Sequence, residues 1–425
     1  QLHAQDEIKQ HGEHEQFEHE AGAHATDHRH RKPTHRVGPG AMGPEQRHQA
    51  HEDGQLLFFC GAGISIPAGL PSFGSLVKSI YDRTGAAWKE EEKREFCKQN
   101  YDRALGLLER PGRLGRDGVR RAVHQELQPG DDPDLSTHEA LLDLAEAGRG
   151  ERRLVTTNFD RLFERAGDSI HHAAAPRLPT PKPHKWSGLV YLHGRLGDSP
   201  GSNENLVLTS GDFGVAYLTE RWASRFVTEL FRHYTVLFVG YSIGDPVLRY
   251  MVDAFSAEQQ RRGEDAYSAY AFAAHGDGEK EEVRQRWEAK RIKPTLYNKE
   301  GGHHRLHETL QRWAEIWKGG LTTKQNLVAS KGGTPPELLS EQETRLVTWA
   351  LSDPSGAPAR AFRELEADAP IAWLPVLWEN GLLGDPDDPD ASPPSVARRS
   401  LRSTRTQLSK PQEELVKWLL NHLGS

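Results

Sequence analysis

A glycine-rich pentapeptide follows an apolar run near residue 60. The residues Leu56–Cys60 are apolar throughout, and the loop after them consists of Gly61, Ala62, Gly63, Ile64 and Ser65. Glycine permits a tight turn and the close approach of a diphosphate, whose charge backbone N–H groups and the positive end of a helix can meet. An ordinary turn between a strand and a helix has the same pattern. The loop therefore needs further signals before it predicts a phosphate site.

Three more polar clusters follow apolar runs. These clusters are residues 156–160 (TTNFD), His193-Gly194, and residues 240–246 (GYSIGDP). Taken singly, Thr, Asn and Asp are typical helix caps, and one His after a strand is more often structural than catalytic. Four polar clusters that each end an apolar run are hard to explain by capping alone. Together they indicate a pocket.

Short apolar runs alternate with amphipathic stretches over residues 55–317. The runs predicted as buried strands are 56–60, 153–156, 189–192, 206–208, 236–239, 269–272 and 294–297. The stretches predicted as helices are 76–81, 101–127, 213–233, 246–255, 278–290 and 306–317. Strands that are apolar on both faces and alternate with helices are typical of a parallel sheet covered on both sides. We expect a doubly wound, Rossmann-like α/β domain, which binds ligands at the carboxyl ends of its strands.

The motifs GAGIS, TTNFD, LHG and VGYSIGD, in this order, resemble the sirtuin-like NAD-hydrolase domain of bacterial anti-phage defence effectors. The resemblance covers about residues 55–317. It implies that the GAGIS loop holds the diphosphate of NAD, that Asn158 and Asp160 contact the nicotinamide riboside, and that His193 is the catalytic base. The catalytic residues that it implies are Asn158 and His193. The NAD-binding residues that it implies are Gly61, Ala62, Gly63, Ile64, Ser65, Asp160, Gly240, Tyr241, Ser242 and Asp245.

The sequence departs from the sirtuin deacylases in two places. Those enzymes carry a four-cysteine zinc module, whereas this chain has only Cys60 and Cys97. The loop that reads GIPDFR in sirtuins reads GLPSFG at residues 69–74 and lacks the Asp and the Arg. We therefore expect no zinc or other metal, and no removal of acyl groups from lysine.

The resemblance implies an enzyme that hydrolyses NAD to nicotinamide and ADP-ribose and acts in abortive infection. One alternative is a sensor that binds NAD or ADP-ribose without turnover, and another is a sirtuin-type deacylase or ADP-ribosyltransferase. A third is direct binding to nucleic acid, suggested by two groups of arginines. These are Arg110, Arg113, Arg116, Arg120 and Arg121, and Arg398, Arg399, Arg402 and Arg405. Basic residues on helices usually form a solvated face, so we do not expect nucleic-acid binding.

An uncontrolled NAD hydrolase would kill its host, so we expect the activity to be restrained until a trigger arrives. In defence systems with similar domains, the sensor is a helicase-type ATPase, an Argonaute or a repeat module. The resemblance therefore implies an activating partner of that kind and a homo-oligomer.

Composition limits the class of protein. The chain has 425 residues, with 54 basic and 61 acidic side chains and a net charge of −7, which does not suggest wholesale binding to nucleic acid. Its mean hydropathy is −0.72, and no apolar run approaches the roughly 18 residues that span a bilayer. Two cysteines do not indicate an oxidising compartment. We expect a soluble, cytoplasmic protein that does not bind membranes.

The sequence divides into four predicted parts. Residues 1–50 are rich in His and poor in large apolar side chains, so we expect disorder, with a metal-scavenging tract as the alternative. The chain begins at Gln1, and Met42 is an alternative start. The NAD-binding catalytic domain is expected at residues 51–318 and a linker at 319–336.

A helical module is expected at residues 337–425. Its predicted helices cover residues 338–351, 361–380 and 411–423, with an Asp/Pro loop at 384–394. Tryptophans spaced among Leu and Val suggest either a docking or oligomerisation surface or a plain helical core.

Overall fold

The computed structural model describes residues 51, 54–147, 151–167, 169–245, 248, 250–251, 269–300, 302–365, 370–383 and 409–423. All of them belong to one structural unit, Pro39–Ser425. The His-rich segment 1–50, the Asp/Pro loop 384–394 and the second arginine group lie outside the described residues. So does most of the helix predicted at 246–255, although Leu248, Tyr250 and Met251 are helical.

A single sheet organises the first three quarters of the chain. Its strands are β1 (Leu56–Cys60), β2 (Glu146–Ala147), β3 (Glu151–Thr156), β4 (His172–Ala174), β5 (Gly188–Tyr191), β6 (Thr235–Val239), β7 (Ala269–His275) and β8 (Lys293–Asn298). The order across the sheet is β4-β5-β3-β1-β6-β7-β8, and each neighbouring pair is parallel. The short β2 pairs antiparallel with β3.

The strand order creates a crevice at the middle of the sheet. From β1 the chain moves outward to β3 and β5, then returns to place β6 on the other side of β1. The strand connections therefore reverse direction between β1 and β6. In open α/β sheets, ligands bind outside the carboxyl ends of the strands at such a reversal.

Both faces of the sheet are buried, which confirms the predicted doubly wound α/β class. In β1, Leu57 and Phe59 join one hydrophobic core, and Leu56, Phe58 and Cys60 join another. Successive side chains of a strand point to opposite faces, so a strand buried on both faces is apolar throughout. This is why the central strands could be recognised from the sequence.

Helices cover the two faces and the carboxyl edge of the sheet. They are α1 (Phe73–Thr84), α2 (Glu90–Cys97), α3 (Tyr101–Leu108), α4 (Gly115–Glu126), α5 (Ser136–Leu144), α6 (Leu162–Ala166), α7 (Ser210–Phe213), α8 (Trp222–His233), α9 (Lys280–Glu288), α10 (His304–Lys331), α11 (Glu341–Leu351), α12 (Ala357–Arg363), α13 (Trp373–Glu379) and α14 (Lys410–Leu423). A π-helix at Gly214–Thr219 lies between α7 and α8.

Three long predicted helices are interrupted, and the stretch 361–380 contains the end of α12 and all of α13. The stretch 101–127 forms α3 and α4, because Gly112 between them and Gly115 at the start of α4 adopt positive φ angles. The stretch 213–233 forms the end of α7, the π-helix and α8, with Arg221 at a φ of 60° before α8 begins. A residue in the left-handed region does not continue a right-handed helix.

The predicted strand 206–208 is wrong. Leu206 and Leu208 pack in a core formed mainly by helices, while Val207 packs into a sheet-face core, and the segment does not join the sheet. The amide of Val207 donates to the carbonyl of His193, in the loop that follows β5, at 2.9 Å. Burial on both sides gave this loop the apolar pattern of a strand.

The segment predicted as a linker is helical up to Lys331. Helix α10 runs through it, with one non-helical residue at Gly320. Beyond it, α11 to α14 enclose a third core that contains Trp349, Trp373 and Trp418. These tryptophans fill a helical core, and the domain boundaries stay a prediction.

Four of the five arginines in the first predicted basic group form ion pairs with carboxylates. Arg113 pairs with Glu92 at 2.8 Å and Arg116 with Asp212 at 2.7 Å. Arg120 is buried and contacts both Glu109 and Asp212. These residues serve as internal ion pairs.

None of the helices in the described part of the chain combines the length and the apolar composition that crossing a bilayer requires.

His51 is buried against aromatic rings beneath the sheet. Its ring stacks on Trp317 with centroids 3.8 Å apart and meets the edge of Phe58 at 5.7 Å. Burial lowers the pKa of His51 to about 4 from 6.5, because the charged ring would lose its hydration.

This burial predicts a loss of stability in acid. Between pH 6.5 and about 4 the unfolded chain binds a proton at His51 that the folded chain does not, so the free energy of unfolding falls as the pH falls through that window. Between pH 7.5 and pH 5.0 we expect the burial of His51 alone to lower the free energy of unfolding by about 2 kcal/mol. Urea unfolding of wild type and His51→Phe at both pH values measures this cost. An equal loss in both proteins would contradict it.

Candidate functional site

The structure places the four predicted motifs at the carboxyl ends of four neighbouring strands. They follow β5, β3, β1 and β6, which are adjacent in that order. His193 lies beyond β5, Asn158 and Asp160 beyond β3, Gly61 to Ser65 beyond β1, and Gly240 to Asp245 beyond β6. The residues that the sequence singled out therefore meet at one edge of the sheet.

The loops after β1 and β6 touch through two glycines. The amide of Gly63 donates to the carbonyl of Gly240 at 2.9 Å. A Cβ on Gly63 would lie 2.8 Å from the Cα of Gly240, and a Cβ on Gly240 would lie 2.8 Å from the amide nitrogen of Ile64. Gly240 also has a φ of 76°. Only glycine fits at both positions, so the motif glycines are explained by this approach of two backbones.

The glycine loop leaves one amide for a ligand. The amide of Gly61 donates to Val239, and the amide of Ile64 donates to the carbonyl of Gly61. The amide of Ala62 has no partner within the described part of the chain, and it lies at the start of the 3-10 helix Ala62–Ser65. An anion at this edge would meet that N–H.

A buried polar cluster centres on the hydroxyl of Ser65, which is 2% exposed. The hydroxyl donates to Asp160 Oδ2 at 2.9 Å, and it accepts from Asn158 Nδ2 at 3.1 Å and from His138 Nε2 at 3.3 Å. A serine hydroxyl has one hydrogen and two acceptor sites, so all of its capacity is used. We call Ser65, His138, Asn158 and Asp160 the serine cluster.

Asn158 is oriented by its amide hydrogens. Its Nδ2 donates to Ser65 and also to the carbonyl of Gly61 at 3.2 Å. Both hydrogens are thereby used, which leaves Oδ1 as the polar atom that can accept a bond from a ligand. Asn158 lines a pocket, so this orientation matters for binding.

Asp160 supports its neighbours with both oxygens. Oδ2 accepts from Ser65, and Oδ1 accepts from the amide of Leu162 at 3.1 Å, where α6 begins. Burial raises the pKa of this carboxyl, and the two hydrogen bonds oppose the shift. Direct contact of Asp160 with a riboside stays a prediction.

His138 was missed by the sequence analysis. It lies on α5, is fully buried, and burial lowers its pKa to about 4. Since Ser65 uses its hydrogen on Asp160, the proton between Ser65 and His138 belongs to Nε2 of the histidine. The only available signal was a histidine on the apolar face of a helix, which is more often structural.

His193 is held by aromatic groups. It is 1% exposed, and burial lowers its pKa to about 3. Its Nε2 lies 2.8 Å from the hydroxyl of Tyr217, a residue that the sequence analysis also missed. The ring of Phe213 meets it edge to face at 5.1 Å. His193 is therefore neutral at physiological pH.

Tyr241 connects the carboxyl ends of β1, β3 and β6. Its hydroxyl donates to the carbonyl of Cys60 at 3.1 Å and lies 2.6 Å from the hydroxyl of Thr157. Its ring occupies the space where a Cβ on Gly61 would lie. Because the hydroxyl of Tyr241 bonds to groups of the protein, only its ring remains available for the predicted contact with a ligand.

Two pockets meet at this edge. A small pocket of about 50 Å³ is lined by the serine cluster residues Ser65, Asn158 and Asp160, by His193, and by apolar side chains that include Leu70 and Phe213. A large pocket of about 530 Å³ lies over the loops after β1 and β6 and extends to β7 and β8. Ala62, Phe73 and Asp245 line both pockets.

The large pocket has a polar wall. Ser242 is exposed on it, and farther out Glu279 pairs with Lys299 at 3.3 Å. The small pocket is mainly apolar around its few polar groups. The two pockets therefore suit different parts of one elongated ligand.

Residues 152–295 match a family model described as "SIR2-like domain". This segment, about a third of the chain, is therefore similar to SIR2-like domains. The match runs from β3 into β8, and the structure adds β1 and its glycine loop to the same sheet. Together they support a sirtuin-type NAD-binding fold.

One curated relative is an uncharacterized protein, y4cA, of Sinorhizobium fredii. It is 33% identical over 357 residues, which cover 81% of this chain and 29% of the relative. The chain thus spans less than a third of that relative's length.

Within the described ranges, no three His, Cys, Asp or Glu side chains are grouped so that they could hold a metal ion. Cys60 is buried at the end of β1, and Cys97 is exposed at the end of α2.

The contact of Gly63 with Gly240 predicts a sharp response to a single methyl group. Gly63→Ala would place Cβ against backbone atoms of Gly240, which cannot move aside as a side chain would. We expect a loss of about 1–3 kcal/mol in the free energy of unfolding. Gly130→Ala is the matched control, since nothing lies within 4 Å of its Cβ position. Equal free energies of unfolding for the two variants in urea would contradict this prediction, because they would show that the two loops can separate without a loss of stability.

Proposed function

We propose that the protein hydrolyses NAD to nicotinamide and ADP-ribose. The observation that carries this proposal is the meeting of the two pockets at Ala62, Phe73 and Asp245, with Asn158 and His193 in the small one. A dinucleotide has two different ends joined by a diphosphate, and the site has two different pockets joined by a glycine loop.

The large pocket would take the ADP part. The Ala62 amide at the start of the 3-10 helix suits the diphosphate, and the exposed Ser242 and the polar wall beyond it suit ribose hydroxyls.

The small pocket would take the nicotinamide riboside. Its apolar lining, with Leu70 and Phe213, suits an aromatic ring, and Asn158 Oδ1 faces the ribose or the attacking water. His193 supplies a base that is neutral at physiological pH.

The reaction needs water and one proton acceptor. The bond between ribose C1′ and the nicotinamide nitrogen breaks with its electron pair going to nicotinamide, and the water oxygen bonds to C1′. The water proton passes to His193 and then to solvent. Because nicotinamide already carries a positive charge in NAD, it leaves easily, and the protein chiefly orients the reactants.

The cellular role belongs to the same proposal. Destroying NAD in the cytoplasm would serve abortive infection against phage, with activation through a homo-oligomer and a partner that senses the trigger. The support is the resemblance of the four motifs to defence effectors. A relative more than three times as long as the matched segment is consistent with further segments that regulate such a domain.

Removing either catalytic side chain tests the activity. Asn158→Ala and His193→Ala should each lower the release of nicotinamide about 100-fold or more, because each removes a group that acts on the reacting atoms. Their free energies of unfolding should stay within about 2 kcal/mol of wild type. Chromatography of NAD incubations measures both products.

The control for this test is His233→Ala, an exposed histidine on α8 outside both pockets, which should retain activity. Full activity in the Asn158 or His193 variant would contradict the proposed site. Tight binding of NAD without release of nicotinamide would favour the sensor function instead.

The same site should not deacylate lysine. A sirtuin deacylase holds the acyl-lysine in a cleft walled by its zinc module, which Cys60 and Cys97 cannot form, so water is the expected acceptor. Incubation with acetylated peptide and NAD should give ADP-ribose and no O-acetyl-ADP-ribose by mass spectrometry, and chelators should leave the rate unchanged. Comparable amounts of the two products would identify a deacylase.

A further inference from the structure

The ring of His193 has one nitrogen facing away from the small pocket. His193 lines this pocket, whereas Tyr217, which bonds to its Nε2, does not. Nε2 is therefore on the protein side of the ring. The nitrogen left for the ligand is Nδ1.

The position of Tyr217 is set by the π-helix Gly214–Thr219 and its anchors. Asp212, just before this turn, accepts from Thr209 and from Arg120 at 2.8 Å, so the entry to the π-helix is fixed. At the other end, Ser224 donates to the carbonyl of Tyr217 at 3.0 Å. The ring of Tyr217 is 4% exposed and packs edge-on to His193 at 5.9 Å.

From this arrangement we propose that Tyr217 is a positioning residue whose hydroxyl accepts a hydrogen bond from His193 Nε2–H and so directs the lone pair of Nδ1 at the substrate. The inference rests on the proposed function, in which His193 is the base. A neutral imidazole carries one hydrogen on its two nitrogens. If Nδ1 is to receive a proton, the hydrogen must be on Nε2, where Tyr217 lies.

Tyr217 also acts after the proton has moved. When Nδ1 takes the water proton, the ring becomes an imidazolium in a site that disfavours charge, because burial lowers the pKa of His193 to about 3. The bond from Nε2–H to Tyr217 then becomes a charge-assisted one, which is stronger than the neutral bond. The hydroxyl itself stays protonated, since burial raises the pKa of Tyr217.

The test compares Tyr217→Phe with Tyr234→Phe. Each change removes one buried hydroxyl, but that of Tyr234 accepts from Trp186 at 3.2 Å, away from both pockets. Tyr217→Phe should lower kcat for NAD about 10- to 100-fold with KM within about twofold, because the change affects a proton-transfer group and not the binding of NAD. Tyr234→Phe should keep wild-type kcat.

Nitrogen NMR of ¹⁵N-histidine-labelled protein gives a readout that does not depend on turnover. The His193 signals are identified by their loss in His193→Ala. In wild type we expect a hydrogen-bonded Nε2–H and an unprotonated Nδ1, and in Tyr217→Phe a mixture of the two tautomers. Tyr234→Phe should keep the wild-type pattern.

The outcomes separate the two proposals. An Nδ1–H tautomer in wild type, or an unchanged pattern in Tyr217→Phe, overturns the assignment of Tyr217. An unchanged kcat in Tyr217→Phe, when wild type cleaves NAD, also overturns it. The expected tautomers in a wild-type protein that never cleaves NAD would support the role of Tyr217 and count against the proposed function.

Discussion

The site depends on the approach of two backbones, at Gly63 after β1 and at Gly240 after β6. One hydrogen bond joins them, and no side chain fits between them. Because β1 and β6 are adjacent at the point where the strand connections reverse, their loops would otherwise diverge toward opposite faces of the sheet. The contact keeps the two loops together, and Ala62 and Asp245 of these loops line both the small and the large pocket.

Around this contact, buried polar groups are oriented by one another. Ser65 forms hydrogen bonds with three side chains from two different elements. Each bond uses one polar atom of the partner and so determines which of its polar atoms remains available to other groups. Asn158 is left with its Oδ1, and His138 with an Nδ1 that has no partner in the described part of the chain. A buried group without a partner is costly, so the serine cluster has few alternative arrangements. Rigidity of this kind is what a site that orients reactants requires.

The sequence was sufficient for six of the eight strands and for the four loops, but it missed β2, β4 and the side chains that pack behind the loops. Strands such as Thr235–Val239 are apolar on both faces, and the parallel topology brings their carboxyl ends together without further information. His138 and Tyr217 could not be predicted, because their roles depend on contacts with Ser65 and His193 on other elements. The false strand at residues 206–208 has the same origin. Its apolar pattern reports burial, which helices supply as well as a sheet does.

Helix α10 belongs to two cores at once. Leu310 packs beneath the sheet, Val328 packs among the C-terminal helices, and Gly320 breaks the helix between them. Such an element couples the unfolding of the parts that it joins, since melting at one end removes a packing surface at the other. The C-terminal helices are thereby connected to the sheet by a packed helix with a break at Gly320, and not by a flexible linker. A displacement of these helices would be transmitted along α10 to the face of the sheet opposite α8, where α10 packs against β1.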